Sequence, residues 1–139
     1  MEMMINDIPV SCINQAAITY HVPATLIIAI MKKENGRNGR AVHNKNGTYD
    51  LGVMQINTRW FPTLSKYGYT RHDLQFNACK NVMVGTWILA SSLANGKTAW
   101  SGVGDYHSKT PKFNLRYRTD VEAHYQTITQ TLEQTVSFR

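Results

Sequence analysis

Glu34, Asp50, Gln55 and Asn57 are side chains able to move protons or hold hydroxyl groups, and they fall close together in the sequence. Glu34 follows Ile27, Ile30 and Met31 at offsets of seven, four and three, so on a helix it continues their apolar stripe. A carboxyl set among apolar side chains loses hydration, which penalises its anion and raises its pKa. A carboxylic acid still protonated near neutral pH is what general-acid cleavage of a glycosidic bond requires. The same position also fits a solvated glutamate at a frayed helix end, paired with Lys32 or Lys33.

Downstream, Tyr49-Asp50-Leu51-Gly52-Val53-Met54-Gln55-Ile56-Asn57 reads as an extended stretch. Gly52 would let the backbone approach a ligand closely. The Gln55 amide can both donate to and accept from sugar hydroxyl and N-acetyl groups. Taken alone, Asp50-Leu51-Gly52 is equally a structural turn capped by its aspartate. The histidines at 21, 43, 72, 107 and 124 show neither H-x-x-x-H nor Cys/His zinc spacing, so no metal site is expected. Trp60, Trp87 and Trp100 are candidates for stacking on sugar rings, although Trp87 lies on an apolar helix face and reads as core.

Mostly helical periodicity positions these groups. A first helix, capped by Ser11, carries Ile13, Ala16, Ala17 and Tyr20. A second has Pro23 in its first turn, then Leu26, Ile27, Ile30 and Met31, and stops at Gly36. Residues 37–56 are polar and loop-like, with Asn46-Gly47 signalling a tight hairpin turn. A short helix opens at Asn57 or Thr58, carries Trp60, Phe61 and Leu64, and ends at Gly68. The longest apolar helix is expected from about Phe76 to Ala94, with Cys79, Val82, Met83, Thr86, Trp87 and Ala90 inward. A short segment at 100–107 precedes a last amphipathic helix bearing Tyr117, Val121, Tyr125, Ile128 and Leu132.

At 139 residues and 42% hydrophobic, the chain suits one domain with a real core, and a disordered tail is excluded. Its longest apolar run, 26–31, is far short of a membrane span. The N-terminus has no basic stretch followed by an apolar one, so no secretory signal is read there. Fifteen Lys and Arg against nine Asp and Glu give +6, which favours a polyanionic partner: nucleic acid, anionic lipid or acidic glycan. Lys32, Lys33, Arg37 and Arg40 form one basic patch, and Lys109, Lys112, Arg116 and Arg118 another. They are solvated faces or a lure for carboxylates on a ligand. From their number alone, Cys12 and Cys79 are free thiols or one disulfide.

Three runs in order resemble the successive motifs of lytic transglycosylases: Glu34-Asn35-Gly36, Gly52 to Asn57, and Gly104-Asp105-Tyr106-His107-Ser108. Those enzymes have a lysozyme-like fold and cleave peptidoglycan. The resemblance spans about Cys12 to Tyr117. It is nearest to the small group that accompanies type III and type IV secretion, conjugation and pilus systems. Two departures are Asn35, where the family usually has Ser, and Asp105-Tyr106-His107, where it often has Ala-Tyr-Asn.

The resemblance implies that Glu34 is the single catalytic acid and then the base. Met54 and Gln55 would line the sugar-binding groove, and Tyr106 would contact the acid or the substrate. Asn57, His107 and Tyr117 count with them as substrate-binding, Tyr117 matching a further tyrosine near the family's glutamate. A Cys12–Cys79 disulfide is implied, since a similar pair is bridged in some relatives. The Asp50 run is also similar to the strand of c-type lysozymes that carries their second carboxylate, which would place Asp50 across the cleft from Glu34.

The expectation is therefore one mainly α, lysozyme-like domain over 1–139, with a small loop or β-hairpin region beside the cleft. Peptidoglycan strands would be the substrate, without metal or organic cofactor. The protein would be a periplasmic monomer serving a partner in a secretion or pilus apparatus, with no nucleic acid bound. Two rivals stand beside it: a muramidase of the same fold, and a non-catalytic basic module that binds nucleic acid or cell-wall polymer.

Overall fold

The computed structural model describes residues 2–137, with side chains through Leu132. A tight hairpin pairs β1 (Met4–Ile5) with β2 (Ile8–Pro9) around Asn6 and Asp7, both at positive φ, which short Asx side chains tolerate. The chain then enters α1 (Val10–Tyr20), which buries Ile13 and Ala16. Pro9, not Ser11, stands at its N-cap; the Ser11 hydroxyl lies inside the helix and donates to the Glu2 carboxylate. After Pro23, also an N-cap, α2 (Ala24–Glu34) buries Leu26, Ile27, Ala29, Ile30 and Met31.

The stop expected at Gly36 comes one residue earlier. Asn35 takes the left-handed conformation (φ 52°) and its N–H closes on the Met31 carbonyl. Gly36 is needed for a different reason, because a Cβ there would run into the carbonyl oxygens of Gly52 and Val53.

The polar stretch after α2 folds into an antiparallel sheet of β3 (Ala41–His43), β4 (Tyr49–Leu51) and β5 (Ile56–Asn57), with β4 central. Asn46 shapes the β3–β4 turn, its side-chain oxygen accepting from the Thr48 N–H at 3.1 Å. The run read as extended from 49 to 57 is broken: residues 52–55 turn, with Gly52 at φ 68° and Gln55 at φ 54°.

A 3-10 turn at Thr58–Trp60 leads into α3 (Phe61–Leu64) and a second 3-10 turn at Ser65–Tyr67. Next comes α4 (Arg71–Phe76), which the periodicity did not separate from its flanks. Its Thr70-x-x-Asp73 capping box forms both hydrogen bonds, at 3.1 and 3.0 Å. The long apolar helix is α5 (Ala78–Asn95), capped by Asn77, and α6 (Ala99–Asp105) starts from a Thr98–Ser101 capping box. The last helix, α7 (Pro111–Ser137), buries Tyr117 and Val121, whereas Leu132, expected inward, is half exposed.

The architecture is mainly α, with the small sheet beside the cleft. α1 and α6 pack on α5, and α7 lies across α2 and α6. The Cys12–Cys79 disulfide (Cα–Cα 5.3 Å) ties the start of α1 to the start of α5. One apolar cluster gathers α1, α2 and α7 around Ile27, Ile30 and Leu89. The other sits under the sheet around Leu51, Leu74 and Ile88. Tyr106 packs against both and so marks their seam. Among the described residues, no single helix is long and apolar enough to cross a membrane.

Candidate active site

At that seam a cavity of about 170 Å³ brings together Glu34, Asp50, Gln55, Asn57, Tyr106 and His107. It continues in two limbs. One, of about 560 Å³, runs along Trp60 and Ile88 to Lys109; the other, of about 410 Å³, passes Phe113 and Arg116. His107 borders all three spaces, and Glu34 lies where the central cavity meets the second limb.

Glu34 is the last residue of α2, on the face that carries Ile27, Ile30 and Met31 into the core. Burial pushes its carboxyl from an ordinary 4.5 up to about 7. The Tyr117 hydroxyl opposes this by donating to Glu34 Oε2 at 2.6 Å, the Asp50 charge adds to the rise, and Lys33 lowers it slightly. Lys33 itself is held by Asp120 of α7 at 2.8 Å rather than by Glu34. The solvated, lysine-paired glutamate is thus not what forms.

The balance makes a prediction for Tyr117→Phe. The lost hydrogen bond favoured the anion, so its removal raises the Glu34 pKa further. The alkaline limb of the kcat/KM–pH profile, where the acid ionises, should move to higher pH. A limb that stays put or moves down would contradict this assignment.

Asp50 faces the same cavity from β4, in register opposite Asn57 of β5. The Asn57 amide donates to Asp50 Oδ1 at 3.0 Å and to Thr48 Oγ1 at 2.9 Å, while its oxygen caps the following 3-10 turn through the Arg59 N–H. The amide expected to serve substrate thus orients the carboxylate instead. Gln55 lines the cavity from a left-handed backbone, and its side-chain nitrogen donates to the Gly52 carbonyl at 2.9 Å.

Met54 is placed differently from a groove-lining residue. Its side chain is fully buried in the core, close against Gly85 of α5, and only its backbone faces the site, where its carbonyl accepts the Tyr106 hydroxyl at 2.8 Å. Gly52 likewise serves the protein rather than a ligand. A Cβ there would strike the Asn81 amide and come within 2.6 Å of the Leu74 carbonyl.

Asn81 escaped the sequence reading, which left it off the inward stripe of α5. Fully buried, it accepts from the Met54 N–H at 2.9 Å and donates to the Leu51 and Leu74 carbonyls at 2.8 and 2.7 Å. Three backbone groups of the turn and its support are bonded by this one amide. The available signal was a polar residue four positions before a glycine on a buried helix face.

Tyr106, His107 and Tyr117 form a stack: His107 lies 4.9 Å from Tyr117 at 8°, and Tyr106 lies 6.4 Å from it at 22°. Burial and the nearby Glu34 and Asp50 carboxyls push the Tyr106 phenol well up, and burial and Glu34 do the same to Tyr117, so both remain hydrogen-bond donors. Burial, with Lys33 and Arg59, pushes His107 down, which leaves its ring neutral at neutral pH. Trp60 lines the cleft and packs edge-on against Trp87 (5.8 Å), whereas Trp100 packs edge-on against Tyr125. Arg59, unremarked in the sequence, also lines the cavity.

Comparison with known proteins identifies the family. Residues 11–117 match the family model described as the transglycosylase SLT domain. The chain is 33% identical over 119 residues to Protein IpgF of Shigella flexneri, covering 82% of this chain and 78% of that one. It is 32% identical over 125 residues to Invasion protein IagB of Salmonella typhimurium, covering 88% and 75%. A Peptidoglycan-binding-like protein of Escherichia coli O157:H7 is 31% identical over 116 residues, covering 78% and 70%.

Proposed function

This chain belongs to the SLT transglycosylase family and is a lytic transglycosylase, a glycan-cleaving enzyme of the lyase type, and from that premise we propose that it cuts the β-1,4 bond from N-acetylmuramic acid to N-acetylglucosamine in peptidoglycan, leaving a 1,6-anhydro end. The observation that carries this reading is the Glu34 carboxyl, held near pKa 7 inside the cleft. In its neutral form it gives its proton to the glycosidic oxygen as the C–O bond breaks. The muramyl acetamido oxygen closes on the anomeric carbon and relieves its positive charge. Glu34, now a carboxylate, takes the proton of the C6 hydroxyl, whose oxygen displaces the acetamido group to form the anhydro ring. One residue serves as acid and then base, and the proton count closes without metal or cofactor.

Tyr117 steadies the Glu34 carboxylate between the two steps, and Asp50, oriented by Asn57, places negative charge opposite the developing cation. Gln55 and the His107 ring offer polar contacts to the sugars on the cavity wall.

The Asp50 carboxylate is also the observation that favours a second reading, a muramidase in which water replaces the C6 hydroxyl. Mass spectrometry of digested sacculi separates the two, since anhydro and reducing ends differ by one water. Anhydro ends are expected to dominate. Asp50→Asn should lower the rate far more than the stability, because it removes a charge that acts at the transition state. Mainly reducing ends that vanish on this substitution would move the assignment to muramidase. A basic module without catalysis would instead bind polymer, lose affinity steeply with salt, and release no muropeptides.

Action on peptidoglycan supports a periplasmic location for the working enzyme. Similarity to a protein named for invasion supports a role in opening the wall locally for a secretion, conjugation or pilus machine, with a protein partner there.

A further inference from the structure

The two limbs of the cleft each present an arginine whose guanidinium makes no hydrogen bond or ion pair among the described residues. Arg59 stands in the limb that ends at Lys109, and Arg116 in the limb beyond Tyr117. Both are exposed. Arg59 lies close enough to His107 to depress its pKa. Arg116 lies near Asp120, whose carboxylate Lys33 already holds at 2.8 Å. Between them lie Asp50 and Glu34, and burial holds the Glu34 carboxyl up to a pKa of about 7. Asp105, at the far limb, is occupied by the Asn114 amide at 2.9 Å.

A peptidoglycan strand alternates its two sugars, and each muramyl residue carries a short peptide with free carboxylates. A strand filling both limbs therefore puts one muramyl residue at the cleaved bond and the next on the far side, beyond one N-acetylglucosamine. Each limb then receives a peptide root, and each has a planar guanidinium free to take a carboxylate through two parallel hydrogen bonds.

The geometry points to Arg59 and Arg116 as specificity-determining residues that select glycan strands still carrying peptides with free carboxylates over bare strands. The inference rests on the transglycosylase reading and names the substrate form that reading leaves open. Among the described residues neither arginine has an ion pair to give up on binding.

The test compares three substrates made from one preparation: strands with intact peptides, strands whose peptide carboxylates are converted to amides, and strands stripped by an amidase. At low ionic strength the wild-type KM for intact strands should be about tenfold below that for the other two, a gap that narrows as salt screens exposed charges. Arg59→Gln combined with Arg116→Gln should raise the KM for intact strands to the amidated value. Lys66→Gln, the loss of one positive charge on the exposed second 3-10 turn, should preserve the gap.

Equal KM for intact and amidated strands, or a gap that survives in the double variant, would overturn the inference while cleavage itself leaves the transglycosylase reading standing. Failure to cleave any of the three would overturn both.

Discussion

Glu34→Gln is expected to lower peptidoglycan cleavage by at least about 10²–10⁴-fold while leaving the protein folded. Glutamine keeps the shape and can still accept from Tyr117, but it has no proton to give. A folded variant that clears sacculi at the wild-type rate would end the mechanism. The same substitution carries a stability signature.

The folded protein holds the Glu34 proton to about pH 7, against an ordinary value of 4.5. Between those values the native state binds more protons than the unfolded chain. Wild-type stability is therefore full at low pH and declines as pH rises through 7. The gap of roughly 2.5 pKa units corresponds to about 3 kcal/mol, a decline the glutamine variant lacks. Urea titrations near pH 4 and near pH 8 should show the variant gaining about that much on the wild type at the higher pH. A difference that does not change with pH would mean that Glu34 is not the desolvated acid described.

Removal of the Cys12–Cys79 bridge should produce the largest loss of stability. The two cysteines are 67 positions apart, so the bond closes about half the chain into one loop. On the chain-entropy account such a loop contributes about 4 kcal/mol, against the roughly 5–15 kcal/mol that hold a typical domain. Reduction, or Cys12→Ala with Cys79→Ala, should lower Tm by roughly 10–20 °C. The bridge lies at the ends of α1 and α5 away from the cleft, so the double variant should retain cleavage well below its Tm. A Tm indifferent to reductant, or two reactive thiols in the unreduced protein, would refute the bridge.

How far the molecule was legible follows from what each signal measures. Glu34 was visible because its place on the Ile27–Met31 stripe is a property of helical spacing. α5 was visible for the same reason, whereas the pairing of Cys12 with Cys79 was implied by the resemblance. Tyr117 was reachable by resemblance, since no local pattern announces an acid partner 83 positions away.

Other features depended on tertiary structure. Periodicity is silent on six-residue helices, so α4 was missed although Thr70 and Asp73 spell its capping box. The resemblance implied that Met54 lines the groove, whereas the left-handed turn at Gly52 and Gln55 leaves its side chain in the core. Asn81 and Arg59 gain their meaning only from what the fold sets opposite them, a strained turn and a second limb of cleft.

The position of Glu34 as the final residue of α2 has a consequence for the order of chemical steps. The carbonyls that end a helix present the negative pole of its macrodipole, roughly half an elementary charge, and Asn35 terminates α2 immediately after the glutamate. Before the reaction this pole disfavours ionisation and so keeps the acid loaded. Once the proton has gone to the departing sugar, the new carboxylate stands at an electrically unfavourable pole, at a cost of about 0.3–1 kcal/mol. That imbalance is relieved only when a proton returns, and the C6 hydroxyl is the source that the anhydro reaction supplies. In the proposed anhydro-forming reaction the helix end thus acts as a restoring force that resets the acid in the same stroke that closes the product ring.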